Sequence, residues 1–125
     1  MSGTGTGIET VAFLLKLRPG MAAEYRRRHD EIWPEMKDML LASGILHYEI
    51  YLDAETNTLF AHMVRRTGPG FIDRHNNPVM LRWRSHMADV LVMDGERPVS
   101  RPLESMFRLK SDATPADGLP FPAPG

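Results

Sequence analysis

The chain of 125 residues contains no cysteine. Disulfide bonds, cysteine-based zinc sites and thiol catalysis are therefore excluded, although this does not fix the compartment in which the chain works. An excess of charge of one sign is also missing, because 15 basic and 16 acidic residues give a net charge of −1. A surface for nucleic acid or for an anionic membrane needs a clear basic excess, so neither partner is expected.

Long apolar runs and the common cofactor signatures are missing as well. No run reaches the roughly 20 residues of a membrane-spanning helix, and residues 1–7 lack the apolar region of a signal peptide. The sequence has no glycine-rich phosphate loop, no GxSxG elbow and no HxH or HExxH spacing among its five histidines. We therefore expect neither a metal nor another cofactor, and a cytoplasmic location.

The pattern of apolar residues predicts one α+β domain over residues 8–110, between a flexible leader (1–7) and a proline-rich tail (111–125). Pro34 divides the first helical region in two, because proline can begin a helix but cannot lie inside one without loss of a hydrogen bond. The predicted elements are the strand Ile8–Arg18, the helices Met21–Asp30 and Pro34–Ala42, the strands Ile45–Leu52 and Thr58–Arg65, the helix Val79–Met93 and the strand Pro102–Lys110. This order is that of a ferredoxin-like βαββαβ sandwich with a broken first helix.

Several of the predicted strands carry apolar residues on both faces. In the first strand, Val11, Phe13 and Leu15 alternate with Ala12 and Leu14. The helices of such a sandwich cover only one face of the sheet, and a large apolar face left bare needs another cover. We therefore expect a homodimer of the dimeric α/β barrel type, in which a second subunit buries the bare face.

The residues best suited to chemistry lie at the end of the first predicted helix. Tyr25 and His29 are four residues apart, and Trp33 follows the helix break. Residues i and i+4 share one helix face, so the phenol and the imidazole point the same way. Tyr48 lies on the strand face that the helices should cover, which predicts an aromatic pocket around one imidazole. A lone histidine at this position could instead serve only to stabilise the end of the helix.

The third predicted helix offers further candidates for the same pocket. Trp83 belongs to its apolar stripe and is either ordinary core or a wall of the pocket. Arg84 is about 100° further round the helix, so both side chains can edge one pocket. His86 is expected at the rim, and Asp89 follows one turn later.

At these residues the chain resembles the L-rhamnose mutarotase family over about residues 11–109. The stretches that carry the resemblance are Glu24–His29, Ile32–Glu35, Tyr48–Asp53, Asn57–Phe60, Arg82–Trp83, Met87–Val90, Pro98–Val99 and Leu103–Phe107. The resemblance implies a dimeric ferredoxin-like isomerase of rhamnose metabolism, which interconverts the α and β anomers of a free deoxy sugar without a cofactor. The family's general acid falls on His29. Its substrate-binding residues fall on Tyr25, Tyr48, Trp83 and Arg84.

The sequence departs from the family pattern at several places, which include His86, where the family usually has an aromatic residue, and the loop before the third helix. Arg84 replaces a second tryptophan, and the segment Met93–Pro98 replaces one of the Asn-Pro-Asp-Asn-Ser-Pro type. A flat stacking wall thus becomes a forked hydrogen-bond donor. L-Rhamnose is the first choice of substrate, and L-fucose or another neutral sugar is the alternative.

The mechanism that we infer from these residues is acid-base ring opening and closure. His29 gives and retrieves a proton at the ring oxygen, while the two tyrosines position hydroxyl groups and Trp83 covers the less polar sugar face. Asp89, His86 or water could be the partner base. Two other functions stay open, because this fold also carries small monooxygenases and haem-degrading enzymes, as well as non-catalytic small-molecule-binding dimers.

Overall fold

The computed structural model describes residues 7–109 and 111, so the predicted leader, the tail and Lys110 lie outside the described residues, apart from Gly7 and Ser111. The elements are β1 (Gly7–Lys16), α1 (Ala22–Asp30), α2 (Pro34–Ala42), β2 (Ile45–Asp53), β3 (Thr58–Thr67), α3 (Pro78–Met87), β4 (Met93–Asp94), β5 (Arg97–Pro98) and β6 (Ser100–Pro102). Four strands form an antiparallel sheet in the order β2-β3-β1-β6. This order confirms the predicted α+β, ferredoxin-like class.

The broken first helix follows from proline and glycine, as the sequence predicts. Pro34 is the first residue of α2, after Trp33 in an extended conformation. Gly44 ends the helical region with a φ of +97°, and a Cβ there would lie only 2.8 Å from the carbonyl oxygen of Arg66. A residue with a side chain could not make this turn without strain, so glycine fixes the point at which the chain enters β2.

The third helix is shorter than predicted, because it ends at Met87 rather than at Met93. The backbone N–H groups of Val90 and Leu91 both donate to the Met87 carbonyl in a turn, and Leu91 then pairs with Leu17 after β1. Val90 and Leu91 are buried, at 0% and 5% exposure. The apolar stripe therefore identified core residues correctly, but the pairing with Leu17 draws the chain out of the helix.

The last strand is also wrong in the prediction, which placed it at Pro102–Lys110. The structure pairs β6 with β1 only from Ser100 to Pro102, and the following residues up to 109 form no strand among the described part of the chain. Met106, Phe107 and Leu109 are 86%, 81% and 84% exposed. Their apolar pattern is typical of a strand, but among the described residues the pairing with β1 ends at Pro102. A short hairpin of β4 and β5, which the sequence did not predict, precedes β6.

The two faces of the sheet differ in what packs against them. The covered face, defined by Leu59, Ala61, Met63 and their neighbours, packs on the helices. The core between them contains Leu17, Tyr25, Met36, Met39, Trp83, Met87, Val90 and Leu91. The uncovered face is defined by the alternate residues, which include Ile8, Ala12, Leu14, Tyr51, Phe60 and Val64. Among the described residues, no helix has both the length and the apolar content to cross a membrane.

Candidate active site

A cleft of about 850 Å³ opens between α1 and the covered face of the sheet. Tyr25 and His29 from α1 and Tyr48 from β2 line it, so the structure brings these three predicted site residues together. The apolar part of the lining comes from the strands and from the first turn of α1. The other lining residues are Leu17, Ala22, Ala23, Arg26, Asp30, Ile50, Tyr51, Leu52 and Leu59.

The orientation of the His29 imidazole fixes its tautomer. Its Nδ1 lies 3.1 Å from the backbone carbonyl oxygen of Tyr25, one turn earlier in α1. A carbonyl oxygen can only accept, so Nδ1 carries the hydrogen and donates. The neutral ring therefore has its lone pair on Nε2, and Nε2 is the nitrogen that can exchange a proton with a ligand in the cleft.

Burial keeps this imidazole neutral. It lowers the pKa of His29 below its ordinary value of 6.5, against the smaller opposing effects of the hydrogen bond to Tyr25 and the charge of Asp30. At pH 7 the resting ring is a proton acceptor at Nε2. A bound group that transfers a proton to Nε2 would convert the ring to the charged imidazolium.

The two phenols stay protonated beside this acceptor. The Tyr25 ring lies against the imidazole, with ring centroids 4.3 Å apart. Burial raises the pKa of Tyr25, and loss of water around the Tyr48 hydroxyl raises the pKa of Tyr48 to about 12. Both hydroxyl groups can therefore donate hydrogen bonds to a ligand throughout the neutral range.

Aromatic rings support His29 from behind. The buried Trp83 ring stands nearly perpendicular to the imidazole, with centroids 5.4 Å apart. Trp33 in turn packs perpendicular to Trp83 at 5.1 Å, and His86 lies against both tryptophans at 5.3 and 5.5 Å. Such edge-to-face contacts fix ring orientation as well as bury area. Trp83 thus holds the imidazole in place from the core side.

Two residues of α3 and its following turn make contacts away from the cleft lining. Arg84 donates from Nη1 to the backbone oxygen of His75 at 3.1 Å, which ties the loop before α3 to this helix. Both carboxylate oxygens of Asp89 accept hydrogen bonds from Arg28, at 2.7 and 3.1 Å. The hydrogen bond from Arg28 is the main reason that the pKa of Asp89 is lowered.

Sequence reasoning missed two charged residues of the cleft, Arg26 and Asp30. Each directly follows one of the two predicted site residues of α1, so the spacing of four that identified Tyr25 and His29 applies to them equally. Among the residues that the structure describes, no group of three or more histidine or acidic side chains could hold a metal ion.

A neutral histidine of fixed tautomer beside two phenols and an apolar floor, on a ferredoxin-like fold, is an arrangement that can move a proton to and from a hydroxylated ligand. Comparison with known proteins makes the assignment specific, because the model of the L-rhamnose mutarotase family matches residues 10–109. The chain belongs to the L-rhamnose mutarotase family. The predicted family and its isomerase chemistry, the interconversion of the anomers of L-rhamnose, are thereby confirmed.

Individual relatives agree with the family match. An L-rhamnose mutarotase of Brucella anthropi is 48% identical over 102 residues, which are 81% of this chain and 96% of the relative. The crystal structure of an L-rhamnose mutarotase from Formosa agariphila superposes with a TM-score of 0.75 at 40% identity, over 82% of this chain and 99% of that chain. A Nitrosomonas europaea protein described as an antibiotic biosynthesis monooxygenase has 8% identity and a TM-score of 0.54, over 85% of this chain and 97% of that chain. This last likeness shows the fold alone.

Proposed function

We propose that this chain interconverts the α and β anomers of L-rhamnose in the cleft, with Nε2 of His29 as the proton carrier. The observation that carries the proposal is the hydrogen bond from Nδ1 to the Tyr25 carbonyl, which leaves Nε2 as the acceptor of a histidine that lines the cleft. An imidazole that is neutral at rest suits a reaction that must both remove and return a proton near neutral pH.

A single nitrogen, Nε2 of His29, can both accept and return the proton that the reaction moves. Nε2 accepts the proton of the anomeric hydroxyl, and the imidazolium then donates it to the ring oxygen as the bond between C1 and the ring oxygen breaks. Rotation about C1–C2 in the open aldehyde, followed by the reverse steps, gives the other anomer. Because both oxygens are bonded to C1, one nitrogen can serve both, and Asp89, which Arg28 already binds, is not needed as a second base.

The lining of the cleft supports a deoxy sugar as the ligand. The Tyr25 and Tyr48 hydroxyls are available as donors to sugar hydroxyl groups, since their pKa values are raised. The apolar side chains of Leu17, Ile50 and Leu59 provide a surface for the methyl group of a 6-deoxy sugar. Contact of Trp83 and Arg84 with the sugar stays a prediction.

We also propose that the chain forms a homodimer through the uncovered face. Ile8, Tyr51 and Phe60 on this face are 69%, 57% and 40% exposed, and large exposed apolar side chains on a sheet face without a cover are typical of a protein interface. The exposed apolar residues of segment 103–109 directly follow β6, next to the same sheet. A second copy of the chain would supply the partner that both surfaces need. The cytoplasmic location and the bounds of the domain stay predictions.

Exchange between the anomers of equilibrated L-rhamnose, measured by NMR saturation transfer with L-fucose in parallel, tests the function. We expect the protein to accelerate exchange of L-rhamnose more than that of L-fucose. Faster exchange of L-fucose would assign the cleft to a different sugar. Binding of L-rhamnose without faster exchange would contradict catalysis and favour a binding module.

A further inference from the structure

Arg28 is the residue directly before His29, and it makes contacts that its neighbours do not. Its Nη1 donates to the backbone oxygen of His86 at 2.6 Å and to Asp89 at 2.7 Å, and its Nη2 donates to the second oxygen of Asp89 at 3.1 Å. Its Nε donates to Glu24 at 2.7 Å. The side chain is only 13% exposed. Such a two-pronged arginine–carboxylate pair fixes geometry as well as charge.

These contacts join two elements that otherwise meet mainly through ring packing. Within residues 7–109 and 111, the hydrogen bonds shown between α1 and the C-terminal end of α3 all come from Arg28. The His29 imidazole also contacts Trp83, one turn before the end of α3, and Tyr25 belongs to the same core cluster as Trp83. The separation of the two helix ends therefore determines how the Trp83 ring meets the imidazole.

We propose that Arg28 is a positioning residue for His29, which holds α3 against α1 so that Trp83 stays edge-on to the imidazole and excludes water behind it. This inference rests on the proposed role of His29 in anomer exchange. Without the Arg28 contacts, the helix ends can separate and water can reach the ring. The imidazole then loses its edge-on contact with Trp83 and the burial that keeps it uncharged.

Arg27 provides a matched control on the same helix. It also pairs with Glu24, at 2.6 Å, but its second partner is Glu31 of the same segment, at 2.9 Å. Its side chain is 54% exposed, and within the described part of the chain both of its ion-pair partners belong to α1 and the residue that follows it. Substitution of Arg27 therefore removes an equal charge and a contact with Glu24, which Arg28 also binds, but leaves the contacts between α1 and α3 in place.

The test compares the Arg28→Gln and Arg27→Gln variants in exchange between the anomers of L-rhamnose. The three readouts are kcat, KM and the pH profile of kcat/KM. We expect Arg28→Gln to lower kcat about tenfold, the scale of a lost charged hydrogen bond, with a smaller change in KM. The acid limb of its profile should move to higher pH, towards the ordinary histidine value, while Tyr25 and Asp30 remain beside the ring. Arg27→Gln should match the wild type in all three readouts.

Asp89→Asn provides a milder second variant in case Arg28→Gln does not fold. We expect Asp89→Asn to shift kcat and the pH profile in the same direction as Arg28→Gln, but by less. The double variant, Arg28→Gln with Asp89→Asn, should have the same activity as Arg28→Gln alone, because both changes remove the same contact. A normal kcat and pH profile in the folded variant would overturn the inference, and so would an equal loss in Arg27→Gln. His29→Gln in the same assay separates the two proposals. If it stays active, the role of His29 fails, whereas an inactive His29→Gln with a normal Arg28→Gln overturns only the positioning role.

Discussion

On strand β3, Leu59, Ala61 and Met63 of the covered face are 2%, 1% and 2% exposed, whereas Phe60 of the uncovered face is 40% exposed. The residues alternate along one strand, so the difference comes from what lies over each face and not from the strand itself. Helices of the same chain complete the covered face and form the cleft there. The uncovered face carries comparable apolar residues without a cover from the described part of the chain.

The histidines on the two faces are stabilised in different ways. On the covered side, burial keeps His29 neutral, and the hydrogen bond to a backbone carbonyl determines which of its nitrogens carries the proton. On the uncovered face, His47 and Tyr51 both contact the Glu49 carboxylate, and hydrogen bonds from Tyr51 and then His47 lower the pKa of Glu49. The charged Glu49 thus accepts hydrogen bonds from its partners on the uncovered face, whereas loss of water lowers the pKa of His29 on the covered side. Burial and a fixed tautomer on the covered side thus give an imidazole suited to reversible proton transfer.

The largest expected effect is on activity at the covered side. His29→Gln keeps the approximate size of the ring but removes the group that exchanges protons, so anomer exchange should fall by roughly 10²–10⁴-fold. His62→Gln on the uncovered face is the control and should keep most of its activity. An equal loss in both variants would break the distinction between the faces.

The next largest effect is on stability. Met63→Ala should lower the free energy of unfolding by about 2–5 kcal/mol, because Met63 is 2% exposed and its removal leaves a cavity. Leu81→Ala, at a position of α3 that is 50% exposed, should change it by about 0.5 kcal/mol or less. Urea denaturation measures both values. A Met63→Ala variant as stable as Leu81→Ala would contradict the assignment of the core.

A smaller effect is expected on assembly. Phe60→Lys places a charge opposite Leu14 and Tyr51 on the uncovered face. We expect it to separate the dimer into folded chains of 14.2 kDa, while Leu81→Lys leaves the dimer intact. Light scattering after size-exclusion chromatography gives both masses. A wild-type protein that is already monomeric at micromolar concentration would refute the interface.

Local rules in the sequence predicted much of this molecule. Pro34 and Gly44 determine helix ends through backbone geometry, which any neighbouring structure must accept. The spacing of Tyr25 and His29 predicted a shared helix face, and both residues do line the cleft. These features depend on residues a few positions apart, so the sequence alone is sufficient for them.

Features that depend on distant partners were harder to predict. The early end of α3 follows from the pairing of Leu91 with Leu17. The contact of Arg28 with Asp89 spans 61 positions, and no local pattern indicates it. The last strand was predicted too long because the apolar pattern of residues 103–109 suits a strand, whereas the described segment pairs with β1 only as far as Pro102 and stays exposed. In each case, tertiary contacts overrode or supplemented the local pattern.

The pH dependence of L-rhamnose exchange by the wild-type protein tests the central claim, that neutral His29 is the resting acceptor. Measured from about pH 5 to about pH 8, kcat/KM should rise through a midpoint below 6.5 and then stay level, because only the neutral imidazole can accept the first proton. Tyr48, with a pKa of about 12, does not titrate in this range. A rate that falls as the pH rises through the same range would show that the enzyme needs a charged imidazolium at rest, and would contradict the account.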